Sequence, residues 1–286
     1  MNATEFIMEV KASNLCPEEF EQKYDEFRMF QNKAIRTLLE FHRICESNQI
    51  PYFLAFGSLL GVVRDGGQIP WDYDIDVIVP FEFRLKLIEA LKENLNSNYY
   101  FICPEVDRRC RHTIMRLAPK EFKSEALHVD VFFLVGSPED ANERKKYQKK
   151  IASIAKLRYG KFVNLKEESV GNPKRYFRLL IKRKIPSLFF SSKYLNDEYF
   201  RLCSLYSSFT SSICIEADNF ANDHEYPKGI LWDTMLLKTS YGEIRIPEKY
   251  KEFLEQIYGD YLKIPKLESR ISEMMYNYHR IKLMCR

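Results

Sequence analysis

Nothing in this 286-residue sequence suggests a disulfide-stapled or membrane-spanning chain. Its seven cysteines, Cys16, Cys45, Cys103, Cys110, Cys203, Cys214 and Cys285, lie far apart with no C-x-x-C pair. That spacing argues against a metal knuckle or a disulfide framework and points to reduced thiols in a cytosolic protein. No apolar run approaches the ~20 residues of a membrane helix. The opening "MNATEFIMEV" has no basic stretch followed by an apolar one, so no secretory signal is expected. Charge of one sign is also scarce. Lys+Arg 44 against Asp+Glu 40 leaves a net charge of +4, too little to argue for a nucleic-acid partner. Internal repeats and low-complexity tracts are absent. "GVVRDGG" has the glycine spacing of a P-loop, but Gln68 follows Gly67 where Lys and Ser/Thr are required, so a P-loop NTPase is excluded. What remains is a soluble globular chain, 45% apolar and 14% aromatic, with length for a substantial core. The expected location is cytoplasmic, with contact to a membrane surface left open.

Residues 17–48 read as one long amphipathic helix, opened by Pro17 and Glu18-Glu19, with Phe27, Phe30, Ala34, Leu38 and Phe41 on one stripe. A short strand, "IPYFLAF" (50–56), turns through Gly57-Ser58 into a short helix, and "WDYDIDVIVP" (71–80) reads as a second strand. A helix over 83–95 follows, then strands over 99–105, 108–118 and 127–136. This alternation predicts an α/β (α+β) mixed-sheet core over 1–137. Residues 138–286 read as mainly helical, packed on that core and contributing to acceptor binding. They begin with a charged helix over 139–158. Near the end come a hairpin-like stretch over 236–247 and a helix stopped by Gly259.

The informative stretch is "FGSLLGVVRDGGQIPWDYDIDVIVP", residues 56–80. Side chains alternate along a strand, so Asp72, Asp74 and Asp76 should share one face and Trp71, Tyr73, Ile75 and Val77 the other. Like charges at that spacing repel, so a cation is expected among them. Mg²⁺ takes oxygen ligands and is commonly held by one or two carboxylates together with substrate phosphates. Asp130, isolated in the apolar "HVDVFFLV", is the candidate for a third carboxylate from another strand. The plainer reading, solvated edge charges, has to be weighed against it. Gly57 and Ser58 would open backbone N–H groups toward a phosphate, and Arg64 would swing back as its partner.

A strand, Gly-Ser, Asp-x-Asp and a later Asp make up the pattern of the nucleotidyltransferase superfamily fold. More closely, "GSLLGVVRDGGQIPWDYDIDV" resembles the LicD phosphocholine transferases and their fukutin-related relatives. "IRIPEKYKEFLEQIYGDYLKIP" (244–265) is similar to that family's C-terminal segment. The resemblance implies a Mg²⁺-dependent (or Mn²⁺-dependent) enzyme moving a substituted phosphate from a CDP-linked donor to a glycan hydroxyl. The donor is CDP-choline in LicD-type members and CDP-ribitol in fukutin-type ones. The acceptor would be a lipopolysaccharide, a teichoic acid or a lipid-linked glycan precursor. It implies Asp74, Asp76 and Asp130 as metal ligands and catalytic residues, with Asp130 also a candidate base. Gly57, Ser58 and Arg64 would hold the diphosphate, with Asp72 either a third metal ligand or a support behind the ligands. Two alternatives stay open: transfer of a nucleoside monophosphate to a small molecule, and a non-catalytic scaffold of the same fold.

Further candidates are weaker. His128 would share a face with Asp130 and serve as a base or simply as hydrogen-bonded structure, while His224 lies in a polar loop and reads as exposed. A choline headgroup would need an aromatic cage, for which Trp232, Tyr226 and Tyr241 are available. Segment 174–190 interleaves cations with apolar residues, which suits either peripheral contact with an anionic membrane or an ordinary surface helix.

Overall fold

The computed structural model describes residues 1–123, 126–169, 172–218 and 224–285. Its helices are α1 (Ala3–Ala12), α2 (Phe20–Ser47), α3 (Phe56–Leu60), α4 (Arg84–Asn94), α5 (Ala141–Phe162), α6 (Leu165–Ser169), α7 (Pro173–Leu179), α8 (Ile185–Leu188), α9 (Ser192–Cys203), α10 (Tyr250–Tyr258) and α11 (Leu267–Met284). Its strands are β1 (Phe53–Leu54), β2 (Ile75–Pro80), β3 (Tyr99–Ile102), β4 (Met115–Pro119), β5 (Val129–Gly136), β6 (Ile213–Glu216), β7 (Tyr226–Pro227), β8 (Thr234–Thr239) and β9 (Gly242–Pro247). The fold is mixed α/β, as the strand and helix alternation predicted.

The main sheet runs β1-β2-β5-β4-β3. Only β2 and β5 are parallel; β1, β4 and β3 join antiparallel. β6, from the second half of the chain, pairs with the far end of β5. β5 therefore has partners on both edges and reads as nearly continuous apolar sequence, with Val129, Val131, Phe133, Leu134 and Val135 buried. β8 and β9 form the expected hairpin as a separate ribbon.

α2 covers this sheet with the predicted stripe. Phe27, Ala34, Leu38 and Phe41 are buried, each large side chain contributing about 1.5–3 kcal/mol. α1 had no counterpart in the sequence reading. Asn2 and Glu5 close a capping box at its start, and Phe6 packs edge-on against Phe20 and Tyr24. Arg84, buried in the first turn of α4, binds Glu105 through both carboxylate oxygens and donates to the Thr113 carbonyl. It thereby pins the segment between β3 and β4, where a longer strand was predicted over 108–118. Residues 108–114 turn instead, bringing Arg111 and His112 beside β4. Gly259, at φ +63°, ends α10 as expected. Among the described residues no helix is long and apolar enough to cross a membrane.

Candidate active site

The three aspartates do not all lie in a strand. β2 begins at Ile75, so Asp76 alone sits in the ladder. Asp72 and Asp74 precede it outside the strand, Asp72 closing a turn by donating its N–H to the Ile69 carbonyl at 3.1 Å. That turn survives because side chains from distant helices satisfy its backbone. Gln31 of α2 donates to the carbonyls of Ile69 and Asp72, and Asn277 of α11 donates to that of Trp71. Burial alternates regardless: Trp71, Tyr73, Ile75 and Val77 are in the core, and the aspartates face the other way.

α3 follows β1 directly and lies against the start of β2. The Ser58 hydroxyl accepts the Asp76 N–H at 2.8 Å, and the Ala55 N–H donates to the Asp76 carbonyl at 3.0 Å. Ser58 thus helps to position β2, with its own O–H still free to donate. Gly57 faces the carboxylates: a Cβ there would sit 3.1 Å from Oδ2 of Asp72. Gly61 lets the loop fold back, since a Cβ would meet the Gly67 carbonyl at 2.6 Å. Arg64 is engaged elsewhere. It forms two hydrogen bonds with Asp65, at 3.0 and 2.8 Å, and stacks over Trp71.

Across the sheet, Asp76 is in register with Asp130, and Asp130 in turn with Arg116 of β4. Arg116 Nε donates to Asp130 at 2.8 Å, and His128 Nε2 lies 3.3 Å from its other oxygen. Burial would push Asp130 up, but Arg116, then His128 and His112, hold it well below the usual carboxylate range. Asp72 and Asp76 go the other way. Burial first, then Asp74 and the remaining carboxylates, push both well above their ordinary value. Tyr258 of α10 is raised by burial and by the field of Asp76, Asp72 and Asp74, and Glu273 of α11 by burial and Asp74. Glu216 of β6 adds to the negative field at Asp76. Asp72, Asp74 and Asp76 thus form an acidic centre closed by residues from both ends of the chain.

Beside this centre opens a cavity of about 360 Å³ that reaches Asp130 and Arg116, where cations outnumber the further acids Glu168 and Asp218 and Arg111 pairs with Glu168 at 3.1 Å. Arg111, His112, Lys156, Arg183 and Arg280 line it, from the β3–β4 connection, α5, the turn after α7, and α11. Of these cations the sequence singled out only Arg183, as part of the basic segment 174–190.

The residues fit an open divalent-cation site better than a closed one. Among the described residues no three His, Cys, Asp or Glu side chains converge into a ready metal cage. Asp72, Asp74 and Asp76 nevertheless repel one another, and Arg116, the cation beside them, is committed to Asp130. Two such carboxylates completed by substrate oxygens make a usual Mg²⁺ arrangement. The proposed cage aromatics are otherwise occupied. Tyr226 is buried, stacked on Phe253, and donates to Glu216 at 2.5 Å. Trp232 packs on Phe53 and Phe209 and donates to the Ser208 carbonyl. The Tyr241 ring lies against the Gly67 loop. His224 is only partly exposed, with Nδ1 3.6 Å from Glu216, rather than solvated in a loop.

Comparison with known proteins places a family match over the aspartates and Asp130. A family model described as LicD/FKTN/FKRP, nucleotidyltransferase domain, matches residues 49–169. The lipopolysaccharide cholinephosphotransferase LicD of Haemophilus influenzae is 24% identical over 251 residues, covering 83% of this chain and 91% of that protein. An uncharacterized protein of Rickettsia prowazekii is 23% identical over 163 residues, 55% of this chain and 59% of its own length. Another from Rickettsia typhi is 29% identical over 89 residues, 28% of this chain and 29% of its own.

Proposed function

We propose that this chain, a LicD family member by its nucleotidyltransferase domain over 49–169, transfers phosphocholine or a closely related phospho-substituent from a CDP-linked donor to a sugar hydroxyl. The acceptor is a cell-surface glycan or its lipid-linked precursor, as the lipopolysaccharide named for the Haemophilus relative suggests. One observation carries the reading: a half-buried acidic centre lies one strand from a cavity, richer in cations than in acids, that reaches Asp130 and Arg116. Carboxylates that repel one another call for a divalent cation, and a pocket lined by Arg111, Lys156, Arg183 and Arg280 calls for phosphates. A diphosphate donor with its metal satisfies both.

Asp74 and Asp76 would hold Mg²⁺ or Mn²⁺, with Asp72 behind them. When bound, the ion offsets charge on the diphosphate and supports in-line attack by a hydroxyl. The acceptor oxygen forms a bond to phosphorus as the bond to the CMP oxygen breaks, and the hydroxyl proton leaves to a base. Asp130, held far below the ordinary carboxylate range, is a weak base, so its expected role is to share the metal. The arginines and Lys156 hold the phosphate oxygens, and Arg116 keeps Asp130 ionised.

The test is a calorimetry and thermal-shift panel of CDP-choline, CDP-ribitol, CDP-glycerol, CTP and ATP, each with and without Mg²⁺. Metal-dependent stabilisation by a CDP-linked alcohol, with CMP release on turnover, supports the reading. Stabilisation by CTP or ATP with pyrophosphate release replaces it with nucleotidyl transfer.

A further inference from the structure

The segment from α7 to α8 has two faces with different tasks. Its inner face closes the cationic cavity with Leu179 and Arg183. It is seated tightly there, since a Cβ on Gly160 of α5 would lie 2.2 Å from the Arg183 carbonyl. The Lys184 ammonium donates to the Lys161 carbonyl at 2.7 Å. The outer face is apolar and exposed. Phe177, Ile181, Ile185 and Leu188 recur at helical spacing and are exposed, and Phe189 beside them is 81% exposed. Neither α7 nor the turn Leu180–Lys184 buries a single side chain in the core.

Its charge decides what that face meets. Residues 173–190 contain Lys174, Arg175, Arg178, Lys182, Arg183 and Lys184 and not one acid. Arg175 pairs with Glu168, Arg183 faces the cavity and Lys184 is tied to α5. Lys174, Arg178 and Lys182 remain exposed, the last two directly after Phe177 and Ile181. An apolar stripe edged by unpaired cations is the signature of a helix lying in a membrane interface. A protein partner would have to be both apolar and strongly acidic to match it, whereas an anionic phospholipid leaflet supplies both in one surface.

We infer that the segment 173–190 seats the chain on an anionic phospholipid surface, with the mouth of the cationic cavity held at headgroup level. Phe177, Ile181, Leu188 and Phe189 enter the acyl boundary, and Lys174, Arg178 and Lys182 bind lipid phosphates. Because Leu179 and Arg183 sit on the same turn, docking brings the cavity to any acceptor carried on a lipid.

The test is co-sedimentation of the full chain with vesicles of phosphatidylcholine alone and of phosphatidylcholine mixed with phosphatidylglycerol. The wild type should pellet with the anionic vesicles only and be released by high salt. K174Q/R178Q/K182Q should lower partitioning roughly a hundredfold, at the usual contribution per cation near a charged surface. F177S/I181S/L188S/F189S should abolish it while leaving the Mg²⁺-dependent thermal shift with CDP-choline unchanged, which also shows that the variant folds. The inference is overturned if the wild type stays in the supernatant, or if both variants pellet like it. Sedimentation velocity adds an independent check: a wild-type dimer made monomeric by the serine variant would assign the stripe to self-association. Vesicle binding reads no catalysis, so failure here leaves the proposed transfer reaction standing, and the converse also holds.

Discussion

Asp76 and Asp130 stand at the same level of neighbouring parallel strands, and their surroundings drive them in opposite directions. β5 has a third strand beside it at that level, and β4 places Arg116 directly opposite Asp130. β2 has only the two-residue β1 on its other edge, pairing at Phe53 and Leu54. Asp76 therefore gains carboxylate neighbours and no arginine of its own. In a sheet, a residue's ionisation follows what the adjoining strand supplies, so two aspartates in similar apolar sequence acquire different chemistry. One is a settled ion pair. The other belongs to a centre that holds excess negative charge until something outside the chain neutralises it.

The largest effect should come from removing charge on the unsettled side. Asp76→Asn should lower CMP release from CDP-choline by more than about 10²-fold, beyond what losing a residue that merely supports a metal ligand costs. The same variant should melt at a higher temperature than wild type in EDTA near neutral pH, because a neutral isostere relieves buried repulsion. Unchanged turnover together with an unchanged melting point would end the contrast.

On the settled side the expectation reverses. Arg116→Met strands a buried carboxylate and should cost about 3–5 kcal/mol in urea unfolding. Pairing it with Asp130→Leu should recover most of that loss, since the repaired strand pair is apolar throughout. A double variant no more stable than the single one would show that Arg116 acts through other contacts.

Smaller again is the pH response. Asp72 and Asp76 have folded pKa values above the ordinary 3.8, so the folded chain keeps protons the unfolded chain has released. The stability they contribute is complete below 3.8 and is lost as pH rises through the raised values. Asp130 is depressed, so its contribution is present above 3.8 and is lost as pH falls. Melting curves in EDTA should therefore decline from mildly acidic toward alkaline pH, and Mg²⁺ should remove most of that decline by taking the proton's place. An Mg²⁺ effect independent of pH would contradict it.

Ser58→Ala should have the least effect, costing about 1 kcal/mol for the hydrogen bond to the Asp76 N–H. Its Mg²⁺-dependent thermal shift with CDP-choline should match the wild type's. A large loss of donor binding would return Ser58 to the phosphate role that its Gly-Ser context first suggested.

Much of this was legible residue by residue. The long helix and its stripe, the hairpin, the stop at Gly259 and the mixed fold all follow from short-range periodicity and turn chemistry. The aspartates stood out because carboxylates are costly beside apolar residues. The strand limits were harder. "WDYDIDVIVP" alternates perfectly, yet its first half is a turn because Gln31 and Asn277 satisfy backbone groups that a strand would otherwise need to pair. Arg64, read as a phosphate partner from proximity in sequence, pairs with its neighbour Asp65 in the structure.

The electropositive half of the site had no such legibility. Arg111, Arg116, Lys156, Arg183 and Arg280 are spread over residues 111–280, and no short-range pattern links them. Local patterns report periods of two and 3.6 residues, so they reveal which side chains share a face of one element. They cannot report which faces meet. Sequence sufficed to pick out the aspartates, the long helix and the cationic stripe, because each lies within one short stretch. The pairing of Arg116 with Asp130, the excess of carboxylates around Asp76 and the cavity beside them depend on which strands are neighbours, and only the folded chain decides that.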